Sequence, residues 1–147
     1  MSGVTTSTPQ PIPHLSFDGN CAEAMRFYET ALGGKIKFMM KAGESPMADK
    51  MPPEMADMVL NAQLELPGGF MLYGGDCPPH MPYPGIHGAC VTLNYNTVAE
   101  GEAVFNTFAD GGRVDMAYEP TFWAEKFGMV TDKFGVHWII NGILHGS

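Results

Sequence analysis

Residues 12–36 read IPHLSFDGNCAEAMRFYETALGGKI, and residues 90–114 read CVTLNYNTVAEGEAVFNTFADGGRV. A shift of 78 sets Leu15 on Leu93, Phe17 on Tyr95, Phe27 on Phe105, Gly33-Gly34 on Gly111-Gly112 and Ile36 on Val114. Identity between the segments is low, but the chemical types recur in one order. Leu15 and Phe17 alternate with His14 and Ser16, the period of a half-buried strand. Asn20 stands three residues before Glu23, and Thr97 three before Glu100, two capping-box starts. Helices are expected over residues 22–32 and 99–110, each with an apolar stripe. A Gly-Gly pair stops both, because glycine tolerates the left-handed C′ position. Two copies of one unit imply paired modules with a cavity between them, and a cavity is where a small molecule binds.

Outward from the repeat, residues 42–57 (AGESPMADKMPPEMAD) form a long connection with three prolines. Connections longer than about 12–15 residues are uncommon and often functional or mobile. Its methionines suit a flap over the cavity or a dimer contact. Strands are expected at 58–66 and 70–73, around Pro67-Gly68-Gly69, and residues 74–88 form a linker between the copies. In the second copy, strands are expected at 114–118, 127–131 and 136–141, the last two around Asp132-Lys133-Phe134-Gly135, with Asp132 as a turn residue. The hairpin glycines Gly69 and Gly135 are 66 apart, not 78, so the first copy carries 12 extra residues in the loop 42–57. Each copy reads β-α-β-β-β.

The whole chain has 147 residues, 16 acidic and 8 basic, for a formal charge of −8. That length suits one domain of about 100–150 residues. Residues 1–10 read as a frayed tail and 11–144 as a single domain, with modules at about 11–77 and 88–144. No Lys/Arg cluster exists, which argues against nucleic acid and anionic membrane surfaces as partners. No stretch approaches the ~18 apolar residues of a membrane span. The three cysteines, Cys21, Cys77 and Cys90, form no C-x-x-C pair, so a reducing, cytoplasmic location is expected. His80 and His87 lie in the linker and read as surface-loop residues.

The duplicated unit, with F-Y-x-x-x-L-G-G closing its first helix (LSFDGNCAEAMRFYETALGG, 15–34), resembles the vicinal-oxygen-chelate superfamily. That is the glyoxalase, bleomycin-resistance and extradiol-dioxygenase fold. The tail TFWAEKFGMVTDKFGVHWIIN (121–141) is similar to the signature T-x-W-x-x-x-F-G-x-x-x-D-x-F-G-x-x-W of its PhnB-like branch. The resemblance covers roughly residues 11–144. It implies an α+β fold, two tandem βαβββ modules forming an open, barrel-like mixed sheet around a cavity, with helices outside. It also implies a homodimer. Members of this branch often carry a demethylubiquinone methyltransferase label, yet this chain has no G-x-G-x-x-G or other nucleotide-binding signature for a methyl donor.

Metal-using relatives hold a divalent ion with one residue at the start of the first strand and one in the last strand of each copy. The matching positions here are Ile12, Tyr73, Cys90 and Ile139. Two carry no donor atom and Tyr is a rare ligand, so no metal cofactor is expected. A displaced zinc site built from His14, His137 and Cys90 is the alternative.

If Leu15, Phe17, Leu93 and Tyr95 cover the helices, then His14, Ser16, Cys90, Thr92 and Asn94 face the other way. A sheet face so rich in polar groups is expected to line a pocket rather than plain core. The expected ligand-binding residues are His14, Ser16, Gln63, Tyr73, Cys90, Thr92, Trp123 and His137. Trp123, beside Phe122, either stacks on a planar ligand or closes one end of the barrel. Three functions follow. The first is metal-independent binding of a small, partly apolar molecule. The second is a lyase, isomerase or dioxygenase with His14 or His137 as general base. The third is a structural homodimer without a ligand.

Overall fold

The computed structural model describes residue 7, residues 9–78 and residues 80–146. Most of the expected tail therefore lies outside the described residues. The first module runs β1 (His14–Phe17), α1 (Cys21–Leu32), β2 (Lys35–Lys41), β3 (Val59–Glu65) and β4 (Met71–Asp76). The second runs β5 (Val91–Tyr95), α2 (Val98–Ala109), β6 (Arg113–Glu119), β7 (Ala124–Thr131) and β8 (His137–Leu144). Each module makes one four-stranded mixed sheet, in the orders β1-β4-β3-β2 and β5-β8-β7-β6. The first strand lies parallel to the last, and the other pairs are antiparallel. The sheets stay open, and β1 and β5 are the free edges on the first-strand side. The α+β, two-module architecture is thus the one the repeat implied.

The face assignments also hold. Leu15 and Phe17 are buried and His14 and Ser16 are exposed, while Leu93 and Tyr95 are half-buried and Thr92 and Asn94 exposed. Each helix covers one face of its own sheet and leaves the opposite face open.

The Gly-Gly pairs serve two purposes. Gly33 and Gly111 take φ of 68° and 75°, the left-handed region that ends a helix. Gly34 and Gly112 instead allow close approach. A Cβ on Gly34 would lie 2.6 Å from the Glu65 carbonyl, and one on Gly112 would meet the Thr131 carbonyl.

Three local expectations need correction. Thr97 does cap α2, accepting from the Glu100 amide at 3.2 Å, but Asn20 makes no side-chain cap on α1. A distant carboxylate replaces it, since Asp76 Oδ1 accepts from the amides of Gly19 and Cys21 at 3.1 and 2.9 Å. Strand β4 extends through Gly74-Gly75-Asp76, which read as linker from their composition. Gly74 pairs with Leu15 and Ala62 in the ladder, and a Cβ there would lie 3.2 Å from Met25 Sδ, so glycine is what lets α1 pack close. The Met-rich connection forms short 3-10 turns at Ala42–Glu44, Ala48–Lys50 and Pro53–Met55.

The modules join through an aromatic cluster. Phe17, Phe27 and Tyr28 of the first meet Phe108, Phe134 and Trp138 of the second, with ring centroids 5.3–6.5 Å apart across the boundary. Asp132 sits in its middle. Its Oδ2 accepts from the Tyr28 hydroxyl at 2.6 Å and the Trp138 indole at 2.8 Å. Its Oδ1 accepts from the Phe134 and Val136 amides at 2.8 and 3.1 Å. The expected turn role is real, and it is half of what this carboxylate does. Burial, then the nearby Asp132 charge, push the Tyr28 hydroxyl far above its ordinary pKa.

Candidate functional site

A cavity of about 530 Å³ opens at the seam between the modules, within the ~300–1,000 Å³ range of small-molecule pockets. One module contributes the segment Gln10–Pro13, the end of α1 at Leu32 and the β3–β4 hairpin around Phe70; the other contributes β5 and Trp138 of β8. Pro11 and Pro13 have no amide hydrogen to offer, so the chain ahead of β1 is poorly suited to ladder pairing with β5. The cavity lies between that segment and β5.

The walls are mostly apolar, with Ile12, Leu66, Phe70, Leu93 and Trp138 prominent, and among the described residues no side chain of Asp, Glu, Lys, Arg or His lines them. The polar groups are Gln10, Thr92, Asn94 and the Tyr95 hydroxyl. Burial, and secondarily Glu100, raise the Tyr95 pKa, so its hydroxyl stays protonated at neutral pH. Asn141 Nδ2 donates to Asn94 Oδ1 at 2.9 Å and fixes that amide against the sheet. Asn141 is itself buried, and its Oδ1 has no hydrogen-bond partner.

Of the expected ligand-binding residues, Thr92 is the one that lines this cavity. His14, Tyr73 and Gln63 stand opposite one another across β1, β4 and β3 on the open face of the first sheet. Ser16 is exposed on the same face, and its carbonyl accepts from the Tyr83 hydroxyl at 2.9 Å. Cys90 is exposed just ahead of β5. Trp123 packs at the start of β7 with Phe122 and Phe127, centroids 4.8 and 5.1 Å away. His137 has both ring nitrogens engaged, Nδ1 with Thr131 Oγ1 and Nε2 with the Ile86 carbonyl, each at 2.8 Å. The same threonine hydroxyl is the main influence holding the Asp115 carboxyl below its ordinary pKa. The eight residues therefore occupy several separate places. The Met-rich turns 42–57 contribute nothing to the cavity walls.

The residues present do not make up the superfamily's metal donor set. Ile12 is a cavity wall, Ile139 lies beside Thr92 in the neighbouring strand, and His137 has no nitrogen left over. Among the described residues no three of His, Cys, Asp and Glu converge on one point. Cys21, buried against Asp76, has its thiol pushed up to about 12, chiefly by burial, and is a packing residue rather than a nucleophile.

Sequence reasoning missed Asp76 and saw only the turn role of Asp132, not its bonds to Tyr28 and Trp138. For Asp132 a signal existed. The tail motif contains a tryptophan, a buried indole N–H needs an acceptor, and Asp132 is the one carboxylate between Phe127 and Trp138. For Asp76 the partners lie 17 to 57 residues away, and no local pattern marks it.

Residues 9–141 match the family model described as 3-demethylubiquinone-9 3-methyltransferase. Protein PA1353 from Pseudomonas aeruginosa has a similar crystal structure, with a TM-score of 0.84 at 43% identity, covering 91% of this chain and 97% of that one. Protein YjdN of Escherichia coli (strain K12) is 34% identical over 137 residues, 88% of this chain and 92% of that protein. A PhnB protein from Bacillus cereus shares the fold, with a TM-score of 0.75 at 23% identity over 90% and 98% of the two chains. The duplicated βαβββ topology, the complete tail motif and these matches agree: the chain belongs to the family described as 3-demethylubiquinone-9 3-methyltransferase, a PhnB-like group with the glyoxalase and bleomycin-resistance fold.

Proposed function

We propose that this protein is a binding module that takes a small, partly apolar molecule into the seam cavity without the superfamily's metal. The observation that carries this reading is the cavity itself, sized for a ligand, walled by apolar side chains and tipped with a few polar groups. A methyl-transfer or lyase reaction in that space would need a general base. The cavity walls offer amides, a threonine and a tyrosine whose pKa is raised, which favours binding over proton abstraction. Diphenylhexatriene, a hydrocarbon that fluoresces only in apolar surroundings, tests the reading. Saturable binding at one probe per cavity is expected. Thr92→Trp, which fills the cavity from an exposed strand edge, is expected to weaken it about tenfold, since lost contact area sets apolar affinity. Absence of saturable binding by the unaltered protein would overturn the proposal.

We further propose a homodimer in which a second copy covers the open sheet faces. These faces expose large apolar side chains, with Phe38 at 44% and Met116 at 51%, and exposed apolar surface of this kind marks interaction surfaces. His14, Gln63 and Tyr73 would then lie in or beside the contact. Sedimentation is expected to show a dimer at micromolar concentration and a monomer for Met116→Glu. A monomeric unaltered protein would refute the proposed dimer and leave the cavity reading standing.

A further inference from the structure

We propose that His137 is a proton-operated clasp, which as an imidazolium ties the linker between the modules to the second sheet and on losing one ring proton lets it go. The hydrogen bonds around the ring carry this inference, and it stands apart from the binding and dimer readings above.

His137 opens β8 beside the buried Trp138, so its ring lies on the open face of the second sheet. Thr131 of β7 is its partner in the ladder, and Arg113 of β6 is the partner of Thr131. Nδ1 of the ring lies 2.8 Å from Thr131 Oγ1. A hydroxyl has one hydrogen to give and two lone pairs to receive with. The hydrogen goes to Asp115 Oδ2, 2.6 Å away. Asp115 is ionised, its carboxyl held below the usual range first by this hydroxyl and, against the pull of burial, by Arg113, so it can only accept. Arg113 Nη2 donates to the hydroxyl oxygen at 3.3 Å and occupies one lone pair. The imidazole is left with the other, so Nδ1 must carry a hydrogen. On the far side of the ring, Nε2 lies 2.8 Å from the Ile86 carbonyl. A carbonyl only accepts, so Nε2 must carry a hydrogen as well. An imidazole with two N–H groups is a cation.

The charged groups around it are on β6, where Arg113 Nε pairs with Asp115 Oδ1 at 2.7 Å. On the β5 side the titratable neighbour is Cys90, one residue ahead of Val91, which faces Trp138 in the ladder. In the linker, His87 turns its ring to the Pro84 carbonyl. One carboxylate therefore serves two cations, and the ring cannot keep both protons as pH rises. The Thr131 hydroxyl stays with Asp115, because a bond to a charged acceptor is the stronger. Nδ1 then keeps its hydrogen and Nε2 gives up its own. The bare Nε2 faces the Ile86 carbonyl, acceptor against acceptor, and that bond is lost. The tie is thus present at low pH and lost as pH rises.

The consequence reaches across the modules. The linker is fastened at one point to the first module, where the Ser16 carbonyl of β1 accepts from the Tyr83 hydroxyl at 2.9 Å. Its second fastening is Ile86 on His137. Residues 83–86 therefore strap β1 to the second sheet, and proton loss frees one end of the strap.

Histidine side-chain ¹H–¹⁵N NMR of the whole protein, from pH 5.5 to 9, tests the clasp. Both His137 ring nitrogens are expected to be protonated at the acid end and Nδ1 alone at the alkaline end, the reverse of the tautomer that free histidine prefers. The backbone amides of Gly85 and Gly88, which flank the Ile86 tie, are expected to shift with the same midpoint as the ring. His137→Gln, whose amide donates at every pH, is expected to remove that shift. A neutral ring protonated on Nε2 would overturn the proposal. So would glycine amides that stay still while His137 titrates, or that move equally in His137→Gln, since His80 or His87 would then be the cause.

Discussion

Asp132→Ala lowers stability by about 3–5 kcal/mol, because it strips the acceptor from two buried side-chain donors and two backbone amides at once. For a chain of this size that is a fall in melting temperature of roughly 10–15 °C. The residue is 3% exposed, so water cannot replace the carboxylate without opening the aromatic cluster. Tyr28→Phe removes one donor and leaves the carboxylate with three others, and about 1–2 kcal/mol is expected. Asp132→Asn lies between the two, since its Oδ1 can still serve the turn amides while its NH₂ faces the Trp138 N–H. Denaturant unfolding of the three variants checks the order. An Asp132→Ala variant within about 1 kcal/mol of the unaltered protein would show that the cluster does not depend on its carboxylate.

Gly112→Ala is expected to cost about 3 kcal/mol, the upper part of the usual overpacking range. A Cβ there would lie 2.6 Å from the Phe108 carbonyl, 3.1 Å from Asp132 Cα and against the Thr131 carbonyl. All three are backbone, so no side chain can rotate out of the way. Its counterpart Gly34 meets one carbonyl, at 2.6 Å, and two leucine methyls at 3.2 Å that can move, so Gly34→Ala is expected to cost less. Gly33 has no atom within 4 Å of the added carbon, and Gly33→Ala carries only the left-handed backbone penalty of about 1–2 kcal/mol. Thermal melts of the series give the order directly. Equal losses for Gly112→Ala and Gly33→Ala would mean that the close approach at Gly112 relaxes easily.

The repeat made the fold readable because its signals are local. Strand alternation at His14–Phe17, the stripe on α1, the Thr97 cap and both Gly-Gly stops depend on neighbours a few residues away. The same alternation correctly separated Leu15 and Phe17 from His14 and Ser16. It did not mark out the cavity, which takes only Thr92 and Asn94 from that polar face. The cavity belongs to the docking of two modules, and its walls include helix-side residues such as Leu93 and Trp138 together with the Pro-rich segment ahead of β1. Nothing in a single copy encodes how its edge strand will lie beside the other's. His137 shows the same limit. Its spacing suggested a ligand, and its two hydrogen bonds, one to a carbonyl 51 residues away, show a tether.

The hydrogen bond from Tyr28 to Asp132 spans 104 residues of chain. On the ribosome the first module is finished long before its partner carboxylate exists. At about 5–20 residues per second, translation of the intervening chain takes roughly 5–20 s. Throughout that interval Phe27 and Tyr28 have no second module to cover them. Nascent chains of this protein thus pass through a state with a sticky aromatic face, the kind of surface that chaperones hold and that crowded overexpression turns into aggregate.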